Sequence, residues 1–472
     1  MQSTNRLDGV RHTQGSIFIG LVLLLTAPTA SVAAANYAAW PNGPSPSNNP
    51  NFFPIGVWLQ SPPNVAEYTN IGINMYIGFF GSLDQGSLSS MAASQMPLVP
   101  TQNSVGLTGA GNSIIRGWDQ MDEPDDAQPN GSGGYNPCIS PATVVAAYNA
   151  IKANNASRPV FLNFGRGVSD INWGGRGDCT GDTNYYVQAS PGGDILSFDI
   201  YPVAYYGGEL ELIPQGVDNL KFWSGNQKIL WHFVEGSSIN GGTPPTGAQV
   251  EAEVWMSLIH GSQGFIYFVH QFSPTFREDG IFNYPALVSA ASNINFQVEA
   301  LAPVLNSANV SNAVQVSSSN MNVPVDFMVK QHGGATYIFA AAMRSNSTTA
   351  TFNLVGVPGG TATVLGEGRQ IAVTGGQFQD SFAGYGVHLY QIAVATTNPP
   401  AAAPSLLQPV FTNNQFRFTL AGTAGSNYVV QAVTNLAASN WISIATNPAS
   451  WLFIESNANL YRQRFYRGVS AP

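Results

Sequence analysis

The feature that most constrains this chain is an alternation. From about residue 50 to 306, short apolar runs that read as strands alternate with segments that read as helices. The runs at 53–59, 73–79, 97–101, 114–121, 160–164, 195–201, 229–234 and 265–270 are the eight expected strands. The expected helices lie at 65–70, 88–94, 141–154, 248–260 and 286–301. In the helix at 141–154, Val144, Val145, Tyr148 and Ile151 recur at helical spacing, and Ser140-Pro141 supplies an N-cap followed by a first-turn proline. No clear helix separates the third and fourth strands. Continuous apolar strands joined by helices describe a parallel sheet covered on its outside. Eight is the number at which such a sheet closes into a (β/α)8 TIM barrel. The competing fold is an open doubly wound sheet, but no Gly-rich phosphate loop follows the first strand.

Beyond residue 306 the pattern changes. Short strand-like runs separated by Gly, Asn and Ser fill 307–395, an all-β sandwich signature. A Pro/Ala-rich linker covers 396–406, and a small β module of short strands occupies 407–472. The expected fold class is therefore α/β: a barrel at 50–306, then an all-β sandwich and a small C-terminal β domain.

The first 35 residues read as a signal peptide. Arg6 and Arg11 precede an apolar run at 17–25, and small residues at 31–35 offer cleavage sites. The run is short for a membrane span, so export is expected, with an uncleaved anchor as the alternative. The formal net charge is −9, and no basic cluster is present. That argues against nucleic acid and anionic membrane as partners. A chain with 9% charged and 11% aromatic residues leans toward a neutral, ring-shaped ligand. In an oxidising compartment Cys138 and Cys179, on the loops after strands four and five, are expected to form one disulfide; two free thiols are the alternative. No spacing of Cys, His or acidic residues calls for a metal, and no cofactor is expected; Asp125 and Asp126 read as a solvated loop.

Two glutamates stand at strand ends. Glu123, before Pro124, closes strand four; Glu235, before Gly236, closes strand seven. Carboxylates at the carboxyl ends of barrel strands face a shared mouth. Two carboxyls about 5–5.5 Å apart are what retaining cleavage of a glycosidic bond needs. These residues resemble the clan A glycoside hydrolases. The resemblance spans roughly 50–306 and rests on strand position and on the tripeptide Asp122-Glu123-Pro124. It implies Glu123 as acid/base, Glu235 as nucleophile, and a secreted enzyme that cuts β-glycosidic bonds of a plant or algal polysaccharide with net retention. It also implies that Tyr201, at the end of strand six, hydrogen-bonds the nucleophile. Asp122 stands where the clan usually has Asn. An Asp-Glu pair also resembles substrate-assisted N-acetylhexosaminidases, which makes that mechanism the alternative. A non-catalytic glycan-binding protein is the alternative from another class.

Further residues are candidates to line the mouth. Asn163 and Gln271 can bond sugar hydroxyls. His232 and His270 lie near the ends of strands seven and eight, with a buried, satisfied polar group the competing reading for each. Trp58, Trp118 and Trp173 can stack on sugar faces, with core packing the competing reading for each. The segment 378–390 resembles the closing strand of sandwiches appended to such barrels. The C-terminal module can contact glycan or cell surface, or only space the enzyme.

Overall fold

The computed structural model describes residues 37–44, 49–173, 179–393, 403–423, 426–436 and 440–470. The expected signal segment at 1–35 and linker residues 396–402 lie outside them.

Eight barrel strands follow the expected order. They are β1 (Ile55–Trp58), β2 (Met75–Ile77), β3 (Leu98–Val99), β4 (Trp118–Asp122), β5 (Val160–Phe164), β6 (Ile195–Phe198), β7 in two segments (Ile229–Leu230 and His232–Glu235) and β8 (Phe265–Phe268). All pairings among them are parallel. One arc runs β3-β2-β1-β8-β7 and the other β4-β5-β6-β7. The two arcs share β7, which is interrupted at Trp231. Parallel bridges from Leu98 to Ile115 and from Thr101 to Asp119 join β3 to β4 and close the ring.

Alternation along each strand sorts two layers. Ile77, Phe161, Ile195, Ile229, Trp231, Phe233 and Ile266 fill the barrel interior. Tyr76, Val234, Phe265 and Tyr267 pack outward with helix residues such as Val254 and Val298. Such burial on both faces explains the uninterrupted apolar runs.

The helices around the barrel begin at recognisable caps. In the helix Pro141–Asn154 the Ser140 hydroxyl accepts the Thr143 N–H. Thr246 and Gln249 form a capping box at the start of Gly247–His260. Thr183–Ala189, Pro202–Tyr205, Leu212–Trp223 and Ala302–Leu305 are helices that were not among the expected ones. Nor was Ser104–Thr108, between β3 and β4, opened by the Asn103 side chain accepting the Gly106 N–H at 2.8 Å. Its five residues are too few to show a helical period.

The second unit is a sheet of eight antiparallel strands from Val314–Ser318 to Val387–Ala393. The 378–390 segment is two strands and a turn rather than one closing strand; Phe378 and Tyr390 meet in its core. This unit packs against the helix Gly247–His260, where Trp255 stacks on Phe339 at 5.2 Å. His260 joins the two units, lying between Asp218 of the barrel and Asp326 of the sandwich at 2.9 and 3.2 Å. The last unit has two three-stranded antiparallel sheets around Phe418, Leu420, Tyr428, Val430 and Phe453.

Gly216, inside the helix Leu212–Trp223, faces β6 so closely that a Cβ would sit 2.3 Å from the Phe198 ring. Alanine ordinarily stabilises a helix interior over glycine by about 1 kcal/mol. Here the sign is expected to invert. Gly216→Ala should lower stability by about 1–3 kcal/mol through overpacking. Urea unfolding checks this; an unchanged or raised midpoint would show that Phe198 yields freely.

Candidate active site

The mouth is built from the carboxyl end of β4. Trp118 and Asp119 pair with Val160 and Phe161, but Asp122 pairs with Asn163, so β4 holds one extra residue. That bulge turns the strand end and sets Asp122 opposite Asn163. Glu123 follows with φ +44°, a left-handed conformation that costs a non-glycine residue. Its backbone is pinned on both sides. The Glu123 N–H donates to the Asn163 carbonyl at 3.0 Å, and the Glu123 carbonyl accepts from Asp126 N–H and from the Gln128 amide.

Asn163 is the centre of the cluster. Its Nδ2 donates to Asp122 Oδ1 and Asp199 Oδ1, each at 2.9 Å, while its Oδ1 accepts the Ser197 hydroxyl at 2.6 Å. Three residues in register on β4, β5 and β6 thus carry one network. Tyr201 donates its hydroxyl to Asp199 Oδ2 at 2.9 Å. This corrects the expected bond from Tyr201 to Glu235. Burial first, then the charges of Asp199 and Asp122, pushes the Glu123 carboxyl up to about 9. Burial and Asp122 push Asp199 up to about 8, against the bonds from Asn163 and Tyr201. Glu123 is thus held in its acid form, which a proton donor requires. Asp199 and Asp119 were not among the expected site residues. Asp199 was legible two positions before Tyr201 at the same strand end. Asp119, raised to about 7 mainly by burial, sits in the middle of β4 and gave no separate signal.

Glu235 lies in a different hydrogen-bonded group. Its carboxylate accepts the N–H of Val203 at 2.7 Å and of Ala204 at 2.9 Å. These amides follow Tyr201 and Pro202, so the 199–204 turn connects Asp199 to Glu235. Glu253, from the helix Gly247–His260, accepts the Glu235 N–H at 2.8 Å and also bonds the Glu235 carboxylate. Burial raises both acids, and Glu253 takes the higher value of the pair. Glu235 is fully covered, whereas Asp122 is exposed and Glu123 and Asp199 are partly exposed.

Behind Glu123, Asp125 and Asp126 are buried, not a solvated loop. Asp125 accepts the Gly165 N–H and the Tyr186 hydroxyl, each at 2.8 Å, so it locks the β4 loop to the end of β5. Thr180 donates to Asp126 at 3.1 Å. Its neighbour Cys179 is bridged to Cys138, with Cα atoms 6.1 Å apart. The disulfide therefore ties together the loops that follow β4 and β5. Among the described residues no group of three or more His, Cys, Asp or Glu is arranged to hold a metal ion.

The other expected binding residues divide sharply. Trp58 is in the barrel interior against Phe161 and Phe233. Trp118 is fully buried at the start of β4, in the layer outside the barrel, beside Arg158. His232 packs on Phe198, also in the outer layer, with burial driving its pKa down to about 3. Trp118 and His232 are core of the outer layer and Trp58 is buried in the barrel interior; strands buried on both faces hide in the sequence which residues point to the mouth. His270 does reach the mouth region, bonded to the Leu59 carbonyl at 3.0 Å amid Phe80, Phe268, Phe272 and Phe276. Gln271 clamps a loop, accepting from Asn283 and Tyr284. Arg166 lies 4.5 and 4.6 Å from the ring centres of Trp173 and Tyr205, and its charge lowers the Asp199 pKa against the effect of burial.

No protein-family model matches the chain, and no curated protein matches it. Among solved structures, an Anoxybacillus α-amylase is 10% identical with a TM-score of 0.43, covering 71% of this chain and 90% of that one. A GH30 endoxylanase from Clostridium papyrosolvens C71 is 12% identical with a TM-score of 0.38, covering 72% and 96%. A glucosidase from Croceicoccus marinus is 12% identical with a TM-score of 0.39, covering 72% and 95%.

Asp119, Asp125, Asp199 and Glu123 are all raised, so above about pH 4 the unfolded chain gives up protons that the folded chain keeps. Stability is then fully present below the unfolded values and falls as pH rises toward the folded ones. The thermal midpoint should drop between about pH 5 and 8, and Asp125→Asn should flatten that slope by up to about 1.4 kcal/mol per pH unit. Parallel curves for the variant and the native protein would contradict it. Replacing Cys138 and Cys179 together by Ala, which opens a loop with a separation of 41 residues, should cost about 4 kcal/mol in the chain-entropy picture. Denaturant titration without reductant reads that loss; no shift would mean that the loops hold without their bridge.

Proposed function

We propose that this chain is an exported glycoside hydrolase that cuts β-glycosidic bonds of a polysaccharide with net retention, using Glu123 as its acid/base. The observation that carries the reading is Glu123 itself: a partly exposed carboxyl at the mouth of a parallel barrel, held in its acid form by burial and flanking aspartates. A protonated carboxyl there can deliver its proton to a glycosidic oxygen. Its strained backbone and the pins on its N–H and carbonyl fix the direction of delivery. The C-terminal module then serves to contact glycan or cell surface.

Glu235 suits the role of nucleophile in one respect, since two amides favour its charge. Its covered carboxylate requires the 199–204 turn to move before it meets an anomeric carbon. A second reading needs no such movement. Asp122 and Asp199 already stand beside Glu123, reachable from solvent and held by Asn163. That arrangement favours an N-acetyl group of the substrate as the internal nucleophile, with the aspartates orienting it. Both routes give net retention.

The test is reducing-end release from a panel of polysaccharides. Glu123→Gln should lower turnover about 10²–10⁴-fold. Glu123→Ala should spare an aryl glycoside whose leaving group needs no proton. Azide rescue of Glu123→Ala, with loss of all activity in Glu235→Gln, assigns the nucleophile to Glu235. Loss in Asp199→Asn with activity kept in Glu235→Gln, on N-acetylated substrates only, assigns it to the substrate. A native protein inactive on the whole panel, or an active Glu123→Gln, defeats the proposal.

A further inference from the structure

Across the mouth from the acid cluster, three phenylalanines form an exposed face. Phe80, on the loop after β2, is 45% exposed; Phe272 and Phe276, on the loop after β8, are 50% and 47% exposed. Phe80 and Phe276 stack within 20° of parallel at 5.7 Å between ring centres, and Phe272 adjoins Phe276 at 5.8 Å. Exposing three large rings side by side is unfavourable in water, and contiguous patches of this kind mark binding surfaces.

The face is rigidly presented. Gln271 and Arg277 exchange two backbone hydrogen bonds at 3.0 and 2.8 Å, closing the loop as a small antiparallel bridge. Arg277 is held in turn by Asp279 and Asn283. The Phe272 N–H donates to the Ile239 carbonyl at 2.8 Å. A loop fixed in this way cannot fold its phenylalanines inward, and a ligand that meets them incurs little ordering cost.

The face is also linked to the acids through a buried row of rings. The Phe268 ring centre lies 6.3 Å from that of Phe272 and 4.9 Å from that of Tyr201, and Tyr201 bonds Asp199. We infer that the Phe80–Phe276–Phe272 face is a carbohydrate subsite that takes sugar rings of the polymer several units from the bond being cut. Flat apolar rings suit the C–H faces of pyranoses and carry no hydrogen-bond donors to demand one hydroxyl pattern. The site then favours long chains over short ones. This inference rests on the glycosidase reading for the identity of its ligand, but binding to the face needs no catalysis.

The experiment is affinity electrophoresis of Glu123→Gln through gels that hold mixed-linkage β-glucan, xylan or glycol chitin. At least one polysaccharide should retard the protein. Adding Phe272→Ala and Phe276→Ala should weaken that retention about five- to tenfold, as loss of ring contacts predicts, and Phe276→Trp should restore it. In the otherwise native protein the same two alanines should raise KM for the polymer and leave turnover of a short aryl glycoside unchanged. Retention by none of the three polysaccharides overturns the inference, as does equal retention with and without the phenylalanines. Concentration-dependent dimerisation that the alanines abolish would assign the face to a second copy of the chain and overturn it too. If the face binds glycan while the native protein releases no reducing ends, the hydrolase reading fails and the subsite stands. If hydrolysis proceeds with KM unchanged by the alanines, the reverse holds.

Discussion

The amide of Asn163 holds the site together. Its single nitrogen bonds two aspartates that would otherwise repel each other, and its oxygen is fixed by Ser197. Without that fork, Asp122 and Asp199 would have no shared donor from β5 and would be free to drift away from Glu123, whose acid form rests on burial first and on these neighbours second. The fork exists because β4, β5 and β6 run parallel in one register, with Asp122, Asn163 and Ser197 side by side. A one-residue slip would turn Asn163 outward to the helices. The bulge in β4 brings Asp122 into line and forces Glu123 into its left-handed conformation. Strain, register and acidity are thus consequences of one local geometry.

The 199–204 turn extends that geometry to the far side of β7. It carries Asp199 and Tyr201 at one end and the amides that hold Glu235 at the other. Glu235 and Glu253 form a buried acid pair, which is costly unless one member keeps its proton and bonds the other. Their arrangement anchors the turn to the helix Gly247–His260.

Much of the barrel was legible because each strand is buried on both faces and so appears as a continuous apolar run. The same property hid the direction of each side chain. Trp118 and His232 read as mouth residues by their place in sequence, yet both point outward beneath the helices. Trp58 points inward and is covered by Phe161 and Phe233. The helix Ser104–Thr108 was missed because so short a segment cannot display a period. Glu123 was legible from Pro124, which marks the strand end. Asp122 and Asn163 were candidates from their strand ends, but the bulge at β4 and the bridge that Asn163 makes from Asp122 to Asp199 exist only once three strands are in register. Asp125 and Asp126 read as solvent-facing acids; only the folded loop supplies Gly165, Tyr186 and Thr180 to pair them.

At the centre of this mechanism, Glu123 keeps its proton where an ordinary glutamate has lost it. Carbon NMR of protein labelled at the glutamate carboxyl carbon tests this directly, by following each resonance against pH in the native protein and in Glu123→Gln. The expected result is a resonance that remains in the acid form at about pH 7, is absent from Glu123→Gln and persists in Glu253→Gln. A resonance lost in Glu123→Gln that instead titrates near the ordinary glutamate value of about 4.3 would contradict it.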